Sequence, residues 1–293
     1  MRVSIGLPST IPGCRGDLLI AWARRAEAGP FSSVAELDRV VYDAYDPFVA
    51  LAAVVGVTSR LGLATNIAIG PMRNTTLLAR SAASLHALSG GRLTLGLAVG
   101  ARQEDYEAVG ADYASRGRRF VAQLGDLRAI WEEQRIGPRL GGLDGLSAPK
   151  LMLGGSSDAT FARVARYGDG YMHGGGPPRA FARAADKARA AWLDLGRPGL
   201  PTLWGQGYFA LGDTATVEAG ARYMRDYYAF TGPFVERIVE GLLTTPQAIA
   251  QFARGYADAG CDELALFPTT ASLDQLDRLA EVVADLSGIE RAP

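Results

Sequence analysis

The sequence predicts one (β/α)8 barrel, a TIM barrel, over residues 1 to 293, and three observations carry that prediction. Eight short apolar or β-branched runs occur, longer segments of helical period separate them, and the chain length suits a single barrel. The runs are VSIGL (3 to 7), FSSVAEL (31 to 37), LGLATNIAI (61 to 69), RLTLGLAVG (92 to 100), KLMLGG (150 to 155), DGYMHG (169 to 174), TLWGQGYFAL (202 to 211) and DELALFP (262 to 268).

The segments between them carry helix punctuation. Asp46-Pro47 opens a helix that runs to about Ser59, and Asn74 or Thr75 caps another that ends at Ser89-Gly90-Gly91. Thr245-Pro246 starts QAIAQFARGYADAG, which stops at Gly260. The least regular stretch, RIGPRLGGLDGLSAP at 135 to 149, reads as a loop into the fifth strand and a candidate flap.

Composition narrows the function classes. With 48% hydrophobic residues the chain can bury a large core, and its formal charge of −1 leaves no basic excess to steer it toward nucleic acid or a membrane surface. Cys14 and Cys261 are far apart and form no metal-spaced or redox pair, so no metal is expected. No run approaches the roughly 18 apolar residues that span a bilayer, and MRVSIGLPST lacks an apolar signal core. The expected location is the cytoplasm. Only Lys150 and Lys187 are lysines among 30 basic residues, the bias of a GC-rich bacterial genome.

In such a barrel the active site lies where strands end and the following loops begin. That rule selects Pro8 and Ser9, Asp38 and Arg39, Asn66 to Met72, Gly100 to Glu104, Gly154 to Ser157, His173 to Gly176, Gln206 to Phe209 and Pro268 to Thr270. Two of these mouths are rich in glycine, in KLMLGGSSDATFARVARYGDGYMHGGG at 150 to 176. Glycine lets backbone N–H groups approach a ligand, Ser156 and Ser157 add hydroxyls, and a helix beginning near Asp158 presents its positive end. Joined by Gly174 and Gly175, this set would cradle a phosphate. The same residues also suit a plain tight turn at Gly154-Gly155 with Ser157 as an N-cap, and local sequence leaves both readings open.

A resemblance bears on that choice. In TLLARSAASLHALSGGRLTLGLAVG (76 to 100), EDYEAVGADYASRGRRF (104 to 120), PKLMLGGSS (149 to 157), ARYGDGY (165 to 171) and GCDELALFP (260 to 268), the chain resembles the bacterial luciferase-like superfamily nearly end to end. That family consists of barrels that bind FMN or the deazaflavin coenzyme F420. The resemblance implies an oxidoreductase that transfers hydride between such a cofactor and a small organic substrate. It matches Asp38 to an aspartate lining the cofactor ring, and it places a non-proline cis peptide between Asn66 and Ile67. Gly100, Gly154, Gly155, Ser156, Ser157, His173, Gly174 and Gly175 complete the implied cofactor site.

The chain also departs from the family. Relatives that oxidise a sugar phosphate carry a histidine where this chain has Arg39 and a glutamate where it has Ala101, so that chemistry is disfavoured. A phosphate-holding lysine is replaced by Pro177, with Arg179 nearby. Of the two histidines, His86 reads as structural, and His173 reads as a cofactor contact or acid. Asp38 and His173 are thus the candidate catalytic residues, with Glu104 and Tyr106 as further rim groups.

Arg73 and Arg102 read as solvated rim residues or as contacts for an anionic substrate or cofactor tail. Arg116, Arg118 and Arg119 read as packing residues. Tyr227 to Phe230 read as core or interface, and Trp204 and Tyr208 as the substrate pocket.

Three classes follow: a hydride-transferring oxidoreductase using coenzyme F420 or FMN, a phosphate-binding aldolase or isomerase, and a cofactor-binding barrel without turnover. The second lacks a barrel lysine or metal cluster. An FMNH2-dependent monooxygenase is the alternative within the first. The Ala- and Ser-rich LLARSAASLHAL (77 to 88) suits close approach of a second copy, so a homodimer is expected.

Overall fold

In a computed structural model, residues 1 to 133 and 148 to 286 are described, so the predicted flap lies outside them except for Ala148 and Pro149. Eight parallel strands close into a barrel in chain order: β1 (Arg2–Gly6), β2 (Ser33–Glu36), β3 (Gly62–Ile69), β4 (Leu93–Ala98), β5 (Lys150–Gly154), β6 (Gly170–Met172), β7 (Thr202–Phe209) and β8 (Glu263–Pro268). Every predicted run but the first contains one of these strands, and β1 begins one residue earlier than its run. Several are shorter than predicted because the terminal residues serve the loops. β4 stops at Ala98, for example, and Gly100 turns to φ 71°.

The strands are buried along nearly their whole length because both faces are covered. Outward residues such as Val34, Leu95, Leu153 and Leu264 pack under the helices, and inward ones such as Ala35, Met152, Met172, Trp204 and Ala265 fill the barrel. At the amino-terminal end the buried Glu263 carboxylate accepts from the Ser32 hydroxyl at 2.9 Å and pairs with Arg2 at 3.0 Å, with Ser33 as a further donor.

The wall is built of α1 (Gly16–Ala28), α2 (Pro47–Val55), α3 (Thr75–Leu88), α4 (Gln103–Ala108), α5 (Arg116–Glu133), α6 (Asp158–Tyr167), α7 (Pro178–Asp194), α8 (Thr214–Tyr227), α9 (Val235–Val239), α10 (Pro246–Asp258) and α11 (Leu273–Asp285). The predicted caps form. Asp46 accepts from the Phe48 and Val49 amides, Asn74 from Leu77, and Thr245 from Ala248, each contributing about 1 kcal/mol. α2 ends at Val55 and not at Ser59, because Glu27 captures the amides of Ser59, Arg60 and Leu61 and turns the chain into β3.

One departure shapes the site. Between β7 and β8 the chain builds the α-helices α8, α9 and α10 and a 3-10 helix at Ala229–Phe234, and α10 packs on the wall beside α7 and α11. α8 reaches over the mouth: the Tyr223 hydroxyl meets Thr10 after β1 at 2.8 Å, and Tyr42 after β2 donates to Asp226 at 2.6 Å.

Candidate functional site

Small residues on the β4 to β6 side of the barrel let Ile67 pack in from β3. Gly96 lies against Ile67 and the Met172 sulfur, and a Cβ at Gly154 would fall 2.5 Å from Ile67 Cδ1. Ile67 thus occupies the space those glycines vacate. The β7 and β8 side is aromatic, with the Tyr208 and Phe267 rings 5.8 Å apart. The Asn66–Ile67 peptide is cis, as the resemblance implied, and the β3 to β4 register shifts between Thr65 and Ala68. Asn66 is buried with its Nδ2 unpartnered.

At β2, Asp38 is buried and fully engaged. Its Oδ2 accepts from the Ile69 amide at 2.8 Å, and both oxygens accept from Arg73, at 2.5 Å and 3.0 Å. With both oxygens taken, Asp38 is a positioning residue that pins the end of β3. Arg73, expected to be solvated, is instead largely buried. Its second carboxylate partner, Asp46, ties the pair to the start of α2 at 3.3 Å. A buried guanidinium is retained here because its carboxylate partner answers the charge.

The two glycine-rich mouths stand together. Gly155 adopts φ 131° and Gly175 φ 99°, conformations open to glycine but rarely to other residues. A Cβ at Gly155 would also fall 2.6 Å from Thr160 Oγ1. The Tyr171 hydroxyl joins the loops, donating to the Gly155 carbonyl at 2.9 Å and meeting His173 Nδ1 at 3.1 Å.

Ser156 and Ser157 are exposed, and Ser157 precedes α6 without a side-chain cap; the Thr160 amide donates to the Ser157 carbonyl at 2.8 Å, which leaves the Asp158 and Ala159 amides for an anion. The Asp158 carboxylate in that turn is answered by Lys187 at 2.8 Å. Gly174 is exposed, and its carbonyl accepts from Gln206 at 3.2 Å.

His173 alternates with the inward Met172 and packs on the outer side of β6, 5.8 Å from the Phe181 ring of α7. Burial lowers its pKa to about 4, against an opposing contribution from the Gly175 backbone. The imidazole is therefore neutral at neutral pH, and its Nε2 is buried without a partner. That geometry suits a contact beside the cradle and gives no proton donor toward the barrel axis. His86 is buried in α3 beside Gly91, a structural position. Arg116 stacks on Tyr113 at 3.6 Å and Arg119 donates to the Pro71 carbonyl at 2.6 Å, the packing roles expected of that cluster.

The roof was not foreseen. Arg39 lies 4.3 Å from the Tyr42 ring and 5.4 Å from Tyr227, and Arg102 lies 4.6 Å from Tyr227 and 4.4 Å from Phe230. The five side chains form a ladder across the mouth, and both arginines donate to the Tyr227 carbonyl at the end of α8. Glu104 pairs with Arg39 at 2.7 Å, while the buried Asp105 accepts from the Val40 and Val41 amides.

Tyr208 meets the Tyr228 hydroxyl at 2.7 Å. Tyr227 is buried core, as expected, and with Tyr228, which packs against the same cluster, it also forms the floor of the roof over the mouth. Trp204 is corrected: it pairs with Glu263 toward the amino-terminal end, below the mouth. The dense RDYYAF run was the available signal, but its periodicity says nothing of which loop α8 packs against.

The luciferase-like monooxygenase family model matches residues 12 to 263. The chain belongs to that family. Uncharacterized proteins of Mycobacterium bovis and Mycobacterium tuberculosis are 30% identical to it over 209 residues, 61% of this chain and 72% of theirs. The phthiodiolone/phenolphthiodiolone dimycocerosates ketoreductase of Mycobacterium tuberculosis is 28% identical over 172 residues, 52% of this chain and 44% of that protein.

Among solved structures, an F420-dependent secondary alcohol dehydrogenase in complex with an F420-acetone adduct superposes with TM-score 0.80 at 15% identity, covering 97% of this chain and 98% of that one. EDTA monooxygenase from Chelativorans sp. gives 0.74 at 18% identity, covering 100% and 95%. At such identities these structural likenesses speak for the fold. No described helix is long and apolar enough to cross a membrane.

Proposed function

We propose that this luciferase-like chain is an oxidoreductase that transfers hydride between coenzyme F420, or alternatively FMN, and a small organic substrate at the carboxyl end of the barrel. The observation that carries the reading is the paired mouth of β5 and β6. Gly155 and Gly175 hold conformations suited to glycine, Ser156 and Ser157 are exposed, and the first turn of α6 lacks a side-chain cap. These features fit the phosphate that both cofactors carry. Ile67, packed against Gly96 and Gly154, offers an apolar surface for a flat ring, and the unpartnered Asn66 Nδ2 and His173 Nε2 are polar groups suited to its edge and to the phosphate loop.

When bound, the cofactor supplies the hydride-transfer chemistry. The chain's own residues position and shield. Asp38 and Arg73 fix the end of β3, and the roof of α8 excludes water. Arg39 and Ala101 stand at the acid and base positions of the sugar-phosphate-oxidising relatives, and Arg39 is committed to Glu104 and Tyr227. The Tyr208 and Tyr228 hydroxyls stand hydrogen-bonded at the mouth, and burial raises their pKa values, so both are protonated at neutral pH and can orient a substrate oxygen by hydrogen bonding.

The F420-dependent dehydrogenase likeness favours the deazaflavin, and the ketoreductase relative favours a reductase. The family description and the EDTA monooxygenase likeness support an FMNH2-dependent monooxygenase as the second reading. Anaerobic fluorescence-quenching titration with each cofactor, followed by oxygen uptake on the reduced complex, decides between them. Tight F420 binding without oxygen uptake supports the first, and FMN binding with substrate-dependent uptake the second. Binding of neither refutes both. We also propose a homodimer that works in the cytoplasm on a small molecule, with no nucleic acid or membrane partner. Light scattering tests the assembly.

A further inference from the structure

Three arginines stand at the mouth, and their charges are not equally answered. Arg73 faces Asp38 and Asp46, and Arg39 faces Glu104 at 2.7 Å. Arg102 has no carboxylate partner among the described residues. Its one hydrogen bond runs 3.4 Å to the Tyr227 carbonyl, and its Nε–H is buried without an acceptor. Capping α8 does not explain it, because Arg39 already donates to the same carbonyl at 3.0 Å. The Tyr227 and Phe230 rings hold the Arg102 guanidinium in place without neutralising it.

We propose that Arg102 is the counter-charge for a carboxylate on the substrate, whose aromatic or apolar body packs against Tyr208, Tyr227, Tyr228 and Phe267. The inference rests on the oxidoreductase reading and names the substrate class of the same site. Arg102 follows Gly100 closely at the carboxyl end of β4, and Tyr227 beside it leads directly to Tyr228, which meets Tyr208 at the mouth. One guanidinium fork matches the two oxygens of a carboxylate. The glycine loops suited to a phosphate lie separately, on β5 and β6. An entering carboxylate would pair with the terminal guanidinium nitrogens and would displace only the long bond to Tyr227.

The test uses benzoate and benzamide as probes, with saturation-transfer NMR on the full-length wild type, Arg102→Met and Arg102→Lys. F420 and FMN titrations run on the same samples. Benzoate should bind the wild type about tenfold or more tightly than benzamide, and Arg102→Met should weaken it about tenfold to a hundredfold. Arg102→Lys should recover part of that loss, and cofactor affinity should not move.

Equal binding of benzoate and benzamide, no binding of benzoate to the wild type, or benzoate affinity untouched in Arg102→Met would each overturn the proposal. Weakened cofactor binding with benzoate unaffected would overturn it too, by assigning Arg102 to the cofactor. If Arg102→Met fails to fold, Arg102→Lys decides: benzoate affinity equal to wild type or partly reduced supports the proposal, and loss of all preference over benzamide overturns it. Failure of the oxidoreductase reading itself would show separately, as absent cofactor binding in the wild type.

Discussion

Replacing His173 with Gln should remove a defined acid sensitivity from the protein. His173 is wedged between Tyr171 and Phe181, and burial lowers its pKa from 6.5 to about 4. Above pH 6.5 the imidazole is neutral in both folded and unfolded chains and adds no pH dependence. Below that, the unfolded chain binds a proton that the folded chain refuses, so stability falls with pH by about 1.4 kcal/mol per unit. The loss levels off near pH 4, where the folded imidazole also titrates, and reaches about 3 kcal/mol in all.

Urea unfolding followed by tryptophan fluorescence from about pH 7 to about pH 4 measures this directly. The wild type should lose about 3 kcal/mol more than His173→Gln across the window. Parallel losses in the two proteins would refute the reasoning and return His173 to the list of proton donors.

Three further outcomes follow from buried groups. Arg73→Ala leaves Asp38 charged and buried with the Ile69 amide as its remaining partner, and should cost about 3 kcal/mol or more. A melting temperature equal to wild type would contradict the pinned end of β3. Glu36 is fully buried, and its pKa is raised well above 4.5 by desolvation, despite the bond from Ser9. As pH rises above 4.5 the unfolded chain ionises first and the folded state loses ground, so Glu36→Gln should become progressively more stable than wild type toward neutral pH. A stability difference independent of pH would refute it. Tyr223→Phe removes the bond to Thr10, worth about 1 kcal/mol, and should speed proteolysis within α8. An unchanged cleavage rate would show that this bond does not hold the roof.

The barrel was legible because its signals are local. Eight apolar runs became eight strands, and Asp46, Asn74 and Thr245 cap helices as their side-chain chemistry dictates. The glycine pair at 154 and 155 and the glycines at 174 to 176 marked one rim because strand order fixes which loops are neighbours. The partnerships across the mouth were not legible. Asp38 finds Arg73 and Arg39 finds Glu104 through the barrel's closure, and no spacing along the chain encodes either pair. His173, read as a cofactor contact or acid, faces the outer side of β6, and which of the two roles its place suits depends on Phe181 of α7, a partner no local spacing encodes. α8 read as a helix from its period, but its place over the mouth depends on Tyr223, Asp226 and Tyr227 meeting groups from β1, β2 and β4.

The central claim is that the β5 and β6 loops hold the phosphate of a flavin or deazaflavin, and Ser156→Asp tests it with least disturbance. Ser156 is exposed, so the change should fold, whereas Gly155→Val would strain φ 131° and strike Thr160. A carboxylate at position 156 would repel a phosphate held by the same loop. Anaerobic titration of wild type and Ser156→Asp with coenzyme F420 and with FMN should show saturable binding of one of them to the wild type, weakened at least about tenfold by the substitution. Equal affinity in the two proteins, or no binding of either cofactor to the wild type, would contradict the account.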